Sequence, residues 1–394
     1  MTTIIRAASA HDFLALVPSL AGFQPRRSLV CVAFDGNRTV GVLRHDLPVR
    51  ARDNAALVSV AVGTLCRMPG VDAVVPVLYT DRSFGSARGI PERRLAEQFI
   101  RRAEQAGFVV RDALCRAADA WGSYLDRATP ASGHPLAMID ENPVTDHAPD
   151  AAEVLDGPDS VAALPAPDGR AAVRIAEALG RFADAEPGDA VFERLGDDID
   201  PVELVESLMS GEPASQPVVR LAWFLHLAAR PAFRDGMMLQ FAFGPVVGAA
   251  AHDDAIASAE RAEASGESID ELVRREVADG EHDEVTDLLS RLMLGQSTLR
   301  PERTRVERAL ALLRPLIANA PVAARVGPLC IAAWLAWSLG RGSAAGAFID
   351  RAIELDPAHP MAGLLATFIG SGALPEWAFV RPASDAASVG AGRA

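Results

Sequence analysis

From Val71 to Tyr79 the chain is apolar at nearly every position, and Pro69-Gly70 stands before it. A run of this kind reads as a strand buried on both faces, which requires helices on both sides and a central place in the sheet. The flanking segments suit that role. Ser28–Phe34 and Thr39–Leu47 are rich in β-formers and meet at Asp35-Gly36-Asn37, a hairpin signal. Ser9 stands as N-cap ahead of Phe13, Leu14, Val17 and Leu20 at helical spacing, and Asn54–Met68 reads as a second helix. Pro91 suits a first helical position, with Leu95, Phe99 and Ala103 as the apolar stripe and Gly107 as the stop. Phe108–Arg116 and Trp121–Leu125 complete a β-β-α-β-α-β-β order, which predicts a mixed sheet with helices packed on it.

At Thr129 the pattern changes. Seven prolines and many Ala, Asp and Gly residues occur up to Asp168 with little periodicity, which reads as a linker or a long surface excursion. Beyond it helical patterns run almost without strands, from Ala171–Ala185 to Pro360–Ile369. The expected organisation is an α/β domain over 1–128, the Pro/Ala/Asp-rich segment over 129–169, an all-α domain over 170–382 and a disordered tail over 383–394. A length of 394 residues fits two such domains.

Gly340, Ala345, Ile349, Ala352 and Pro357 fall at the spacings of the second helix of a tetratricopeptide repeat. No copy recurs at that period, so a single TPR-like helical hairpin is expected rather than an array. Trp334 and Leu335 on its first helix are expected in the core.

Charge and cysteine usage narrow the functional classes. A formal net charge of -14 disfavours sequence-independent nucleic-acid binding and anionic membrane surfaces, since both draw on basic groups. The longest uncharged apolar stretches are shorter than the ~18 residues of a spanning helix. Arg6, His11 and Asp12 interrupt the N-terminus before a signal-peptide apolar region forms, so a cytoplasmic protein is expected. Cys31, Cys66, Cys115 and Cys330 are far apart, without C-x-x-C spacing, and read as reduced, mostly buried thiols.

The sequence carries no H-E-x-x-H, G-x-S-x-G, G-x-x-x-x-G-K or strand-following G-x-G-x-x-G signature. No metal site and no cofactor are expected. Asp197, Asp198 and Asp200 read as the start of a helix at Asp200-Pro201-Val202-Glu203, and Ser268 with Glu271 as a capping box. His252-Asp253-Asp254 and His282-Asp283-Glu284 read as helix-terminus charges, because adjacent side chains diverge.

A polar set at strand ends remains: Arg44 and Asp46, which share one face of an extended segment, and Asp81 after the central strand, with Ser28 and Trp121 as neighbours. These are the candidate ligand-binding residues. The plainer alternative is an Arg44–carboxylate brace and a turn-capping aspartate.

Leu16-Val17-Pro18-Ser19-Leu20-Ala21-Gly22-Phe23-Gln24-Pro25, Ser28-Leu29-Val30 and Arg44-His45-Asp46-Leu47-Pro48 together resemble the opening of an actinobacterial family, domain of unknown function 4192. Trp121-Gly122-Ser123-Tyr124 and Ala332 to Pro357 are similar to its later blocks. The resemblance implies a bacterial cytoplasmic protein of this architecture and no established activity. By the resemblance, members often carry a cysteine in a proline-rich segment after the tryptophan strand; Leu125–Leu136 has none, so no metal or thiol role proposed for that segment carries over. Two functions follow as expectations. One is a non-catalytic regulatory or scaffold protein binding a small molecule or a protein partner. The other is a hydrolase or transferase using Asp46 and Asp81.

Overall fold

The computed structural model describes residues 7–147, 157, 160, 162–186, 189–212, 215–280 and 284–380. They fall into two compact units that divide between Val161 and Ala162. The expected tail lies outside the described residues.

The first unit is a three-layer α/β sandwich. Helix α1 (Ala10–Ala21) starts at Ser9, whose hydroxyl accepts from Asp12 N while Asp12 reaches back to the Ser9 amide. It stops at Gly22, whose φ of 80° is the left-handed conformation that glycine reaches without strain. Strands β1 (Ser28–Asp35) and β2 (Arg38–Asp46) form an antiparallel hairpin. Helix α2 (Asn54–Arg67) leads to β3 (Ala73–Tyr79), which is buried at every residue as its composition dictates. β3 pairs with β1 antiparallel and with β4 (Val109–Val110) and β5 (Leu114–Arg116) parallel, and β6 (Trp121–Ser123) closes the far edge against β5. The order along the sheet is β2-β1-β3-β5-β6.

Alternation sorts the side chains onto two faces. Leu29, Cys31, Ala33, Val74 and Leu78 meet α2 and α3 (Arg93–Gln105) on one face. Val30, Val32, Val75, Val77 and Tyr79 meet α1 on the other.

Three local expectations are corrected. Phe108–Arg116 is not one strand: it breaks after Arg111, whose N–H still donates to the Val74 carbonyl while its guanidinium lies over the Phe34 ring, 4.8 Å away, and Asp112 accepts from Ser123 Oγ at 2.5 Å. Helix α3 begins at Arg93, two residues past Pro91, because Glu92 takes a left-handed φ of 56° and serves as its N-cap. The first unit also extends beyond 128. His134 bridges to the Trp121 backbone, Leu136, Ile139 and Val144 pack on the α1 face, and Asn142 Nδ2 donates to Asp12 Oδ1 at 2.9 Å. These few apolar residues carry no periodicity because the segment is irregular, yet they cover sheet surface.

The second unit is helical, as its patterning predicts: α4 (Gly169–Ala183), α5 (Pro201–Ser210), α6 (Val218–Ala228), α7 (Pro231–Phe243), α8 (Pro245–Ser265), α9 (Ile269–Asp279), α10 (Glu284–Met293), α11 (Arg303–Asn319), α12 (Val326–Ser338), α13 (Gly342–Leu355) and α14 (Pro360–Gly370). Asp200 caps α5 through Val202 N and Glu203 N, and Ser268 with Glu271 forms the capping box of α9. α12 is buried at every residue and is the core of this unit. Gly327 permits its close approach to α6, since a Cβ there would strike the Ala228 carbonyl. Trp334, Leu335 and Ile349 are buried where α12 packs on α13. Among the described residues no helix is long and apolar enough to cross a membrane.

Candidate functional site

One register line crosses the first sheet at the carboxyl end of the parallel strands β3 and β5. Asp46 on β2 pairs with Ser28, Ser28 with Tyr79, Tyr79 with Arg116, and Arg116 with Trp121. Residues directly opposite across strands share a face, so these five side chains form one row on the α1 side, about 4.8 Å apart from strand to strand. The carboxyl end of parallel strands is where open α/β sheets bind ligands, because the chain leaves the sheet there and the covering helices part.

The hydrogen bonding of this row is incomplete. The chain has five tryptophans and two tyrosines. Trp223, Trp334, Trp337 and Trp377 donate their indole N–H to the carbonyls of Ile199, Met293, Ala373 and Ser338. Tyr124 donates its hydroxyl to the Pro91 carbonyl at 2.6 Å. Tyr79 Oη and Trp121 Nε1 are buried without a partner among the described residues, and Ser28 Oγ and Arg116 Nε, in the same row, are too. Buried hydroxyls and indoles ordinarily find partners, and one left unpaired costs about 1 to 3 kcal/mol. Four such atoms on one line are a concentrated local cost.

Electrostatics defines what the row can do. Burial pushes the Tyr79 phenol far above its ordinary value, against the opposing pull of the Arg116 charge, so it stays neutral at physiological pH. Arg116 is held from the other side by Asp140, at 3.1 Å from its Nη2. The Trp121 ring lies 4.6 Å from the His134 ring and 6.0 Å from that of His11, so imidazoles flank the far end. Two hydroxyls, an indole N–H and a guanidinium N–H form a donor-rich line, suited to an acceptor-rich ligand.

The sequence-derived candidates occupy different places in this geometry. Ser28 and Trp121 are members of the row and Asp46 is at its edge. Arg44 binds Asp46 and lies beside the Phe23 ring, at 6.0 Å. Asp81 is 74% exposed, with the Arg27 guanidinium 3.8 Å away. Each carboxylate therefore has its own arginine. His45 shares the opposite face with Leu43 and Leu47, as alternation requires, and burial lowers its pKa, with the Arg44 charge adding to the effect. Tyr79 and Arg116, the centre of the row, were not among the sequence candidates. Their signal is positional: each is the last residue of a strand, one at the end of the apolar run.

Asp198 pairs with Arg220 at 2.6 Å. His252 is corrected from a helix-end charge to the interior of α8, while His282 and Asp283 lie outside the described residues. Among the described residues no group of three or more His, Cys, Asp or Glu could hold a metal ion. Cys31, Cys115 and Cys330 are buried free thiols and Cys66 is an exposed one.

No curated protein and no solved structure matches the chain. The family described as Domain of unknown function (DUF4192) matches residues 11–252 and 247–376, nearly the whole length. This is the family to which the Leu16–Pro25 and Arg44–Pro48 blocks pointed, and the chain belongs to it.

Proposed function

We propose that this is a non-catalytic binding protein, regulatory or scaffolding in role, whose α/β unit holds a small acceptor-rich molecule at the strand ends and whose helical unit offers surface to a protein partner. The observation that carries the reading is the coincidence of Tyr79 and Trp121. They are the tyrosine and the tryptophan whose polar atoms are buried without partners among the described residues, and they share one row with Ser28 and Arg116. Folded chains retain unpaired buried donors chiefly where function requires them. A ligand carbonyl, carboxylate or phosphate oxygen would supply the missing acceptors.

The binding reading is favoured over catalysis by the same groups. A phenol held neutral by burial is a poor base, and Asp46 and Asp81 each face an arginine in solvent-exposed positions rather than one another. A cytoplasmic setting suits the free thiols. Native mass spectrometry of the full chain purified from its own host tests the reading. A discrete noncovalent adduct is expected on wild type and lost in Tyr79→Phe, and wild type at its bare mass would contradict it.

A further inference from the structure

The helical unit has a cleft of its own, with different chemistry from the strand-end row. A cleft of about 460 Å³ opens where α4, α6, α7 and α8 meet the segment before α5. Its wall is an aromatic cluster: Phe182 lies 5.0 Å from Trp223, Phe192 meets Trp223 edge-on at 5.6 Å, and His226 stacks on Trp223 at 5.0 Å with 18° between the planes. Trp223 is held in place by its N–H bond to the Ile199 carbonyl. Arg230, whose guanidinium reaches the His226 carbonyl at 3.0 Å, and His252 add the polar groups.

In a chain of net charge -14, no carboxylate lines this cleft among the described residues, while one guanidinium and two imidazoles do. Burial, followed by the Arg230 charge, lowers the pKa of His226, so Arg230 is the permanent cation. The volume falls in the range of small-molecule pockets, roughly 300 to 1,000 Å³, which are built of apolar walls with few polar groups. We infer that this cleft binds a planar aromatic anion, with its ring against Phe182 and Trp223 and its acidic group on Arg230. Face and edge contacts with the aromatic cluster would orient the ring, and the missing carboxylates remove the repulsion that an anion meets on the rest of the surface.

The test uses naphthoate as the probe and naphthylmethanol as its uncharged analogue, titrated calorimetrically into the full chain. Naphthoate is expected to bind saturably. Arg230→Gln, at an exposed position, should weaken naphthoate by about threefold to fivefold and leave the alcohol unchanged, the factor expected of one exposed charge pair. Ala183→Phe, which fills the cleft from an exposed lining position, should abolish binding of both at an unchanged thermal midpoint. If Ala183→Phe lowers that midpoint, the Arg230→Gln comparison decides alone. The inference is overturned if naphthoate gives no saturable heat at millimolar concentration, if a stable Ala183→Phe binds it normally, or if Arg230→Gln weakens acid and alcohol equally.

Discussion

Tyr79→Phe should make the chain more stable while removing its ligand. The substitution deletes one oxygen and keeps the ring, which is fully packed at 2% exposure between β1 and β5. No hydrogen bond is lost, because Oη has no partner among the described residues. What is removed is the cost of burying an unpaired hydroxyl, about 1 to 3 kcal/mol. For a domain of this size that corresponds to a rise of roughly 2 to 4 °C in Tm per kcal/mol. Tyr124→Phe is the matched control. Its hydroxyl donates to the Pro91 carbonyl, so its loss should destabilise by about 1 kcal/mol, a typical net hydrogen-bond contribution. Differential scanning calorimetry of ligand-stripped protein reads both, with the transition of the first unit followed by amide exchange at β3. The two variants should move in opposite directions. A loss of stability in Tyr79→Phe equal to that in Tyr124→Phe would mean that both hydroxyls are satisfied, and the row would lose its claim to be a site.

Other substitutions probe the fold and its pH dependence. Gly327→Ala should cost about 1 to 3 kcal/mol in denaturant unfolding, because the new methyl meets the Ala228 backbone rather than a movable side chain. Trp334→Ala should cost about 3 to 5 kcal/mol, as a buried indole and its bond to the Met293 carbonyl are both lost. The Asn142 amide, with Ser9 and the Ala8 backbone, lowers the Asp12 pKa against the cost of burial. A carboxylate with a depressed folded pKa stabilises fully above its unfolded value of about 3.9, and that contribution is lost as pH falls through the folded value. Acid titration of amide exchange in α1 should therefore show a loss below about pH 4 that Asp12→Asn lacks. Limited proteolysis should leave residues 129–147 on the N-terminal fragment, since Leu136 and Ile139 hold them to the sheet, and early cleavage there would contradict that packing.

What could be read in advance was local. The run from Val71 to Tyr79 announced a doubly buried strand because all of its residues but Asp72 are apolar, and the caps at Ser9, Asp200 and Ser268 declared themselves within one helical turn. The boundary at 128 moved because the packing of Leu136, Ile139 and Val144 is tertiary: an irregular segment leaves no period by which to recognise its buried residues. The break in Phe108–Arg116 is set by bonds to Gly36 and Ser123 that span distant parts of the chain. Asp46, Ser28 and Trp121 were legible as strand-end residues, but Tyr79 and Arg116 join them only through pairing register, which no window of sequence displays. His252 was misplaced for a related reason, since the helix containing it runs on to Ser265 without an apolar stripe strong enough to mark its length.

Whether the Ser28–Tyr79–Arg116–Trp121 row receives a ligand can be read from a high-resolution crystal structure of protein purified from its own host. Electron density is expected for a molecule other than water, with acceptor oxygens within about 3.2 Å of Tyr79 Oη and Trp121 Nε1. Density showing those atoms satisfied by ordered water alone, in protein that retains every component it carried in the cell, would contradict ligand binding there.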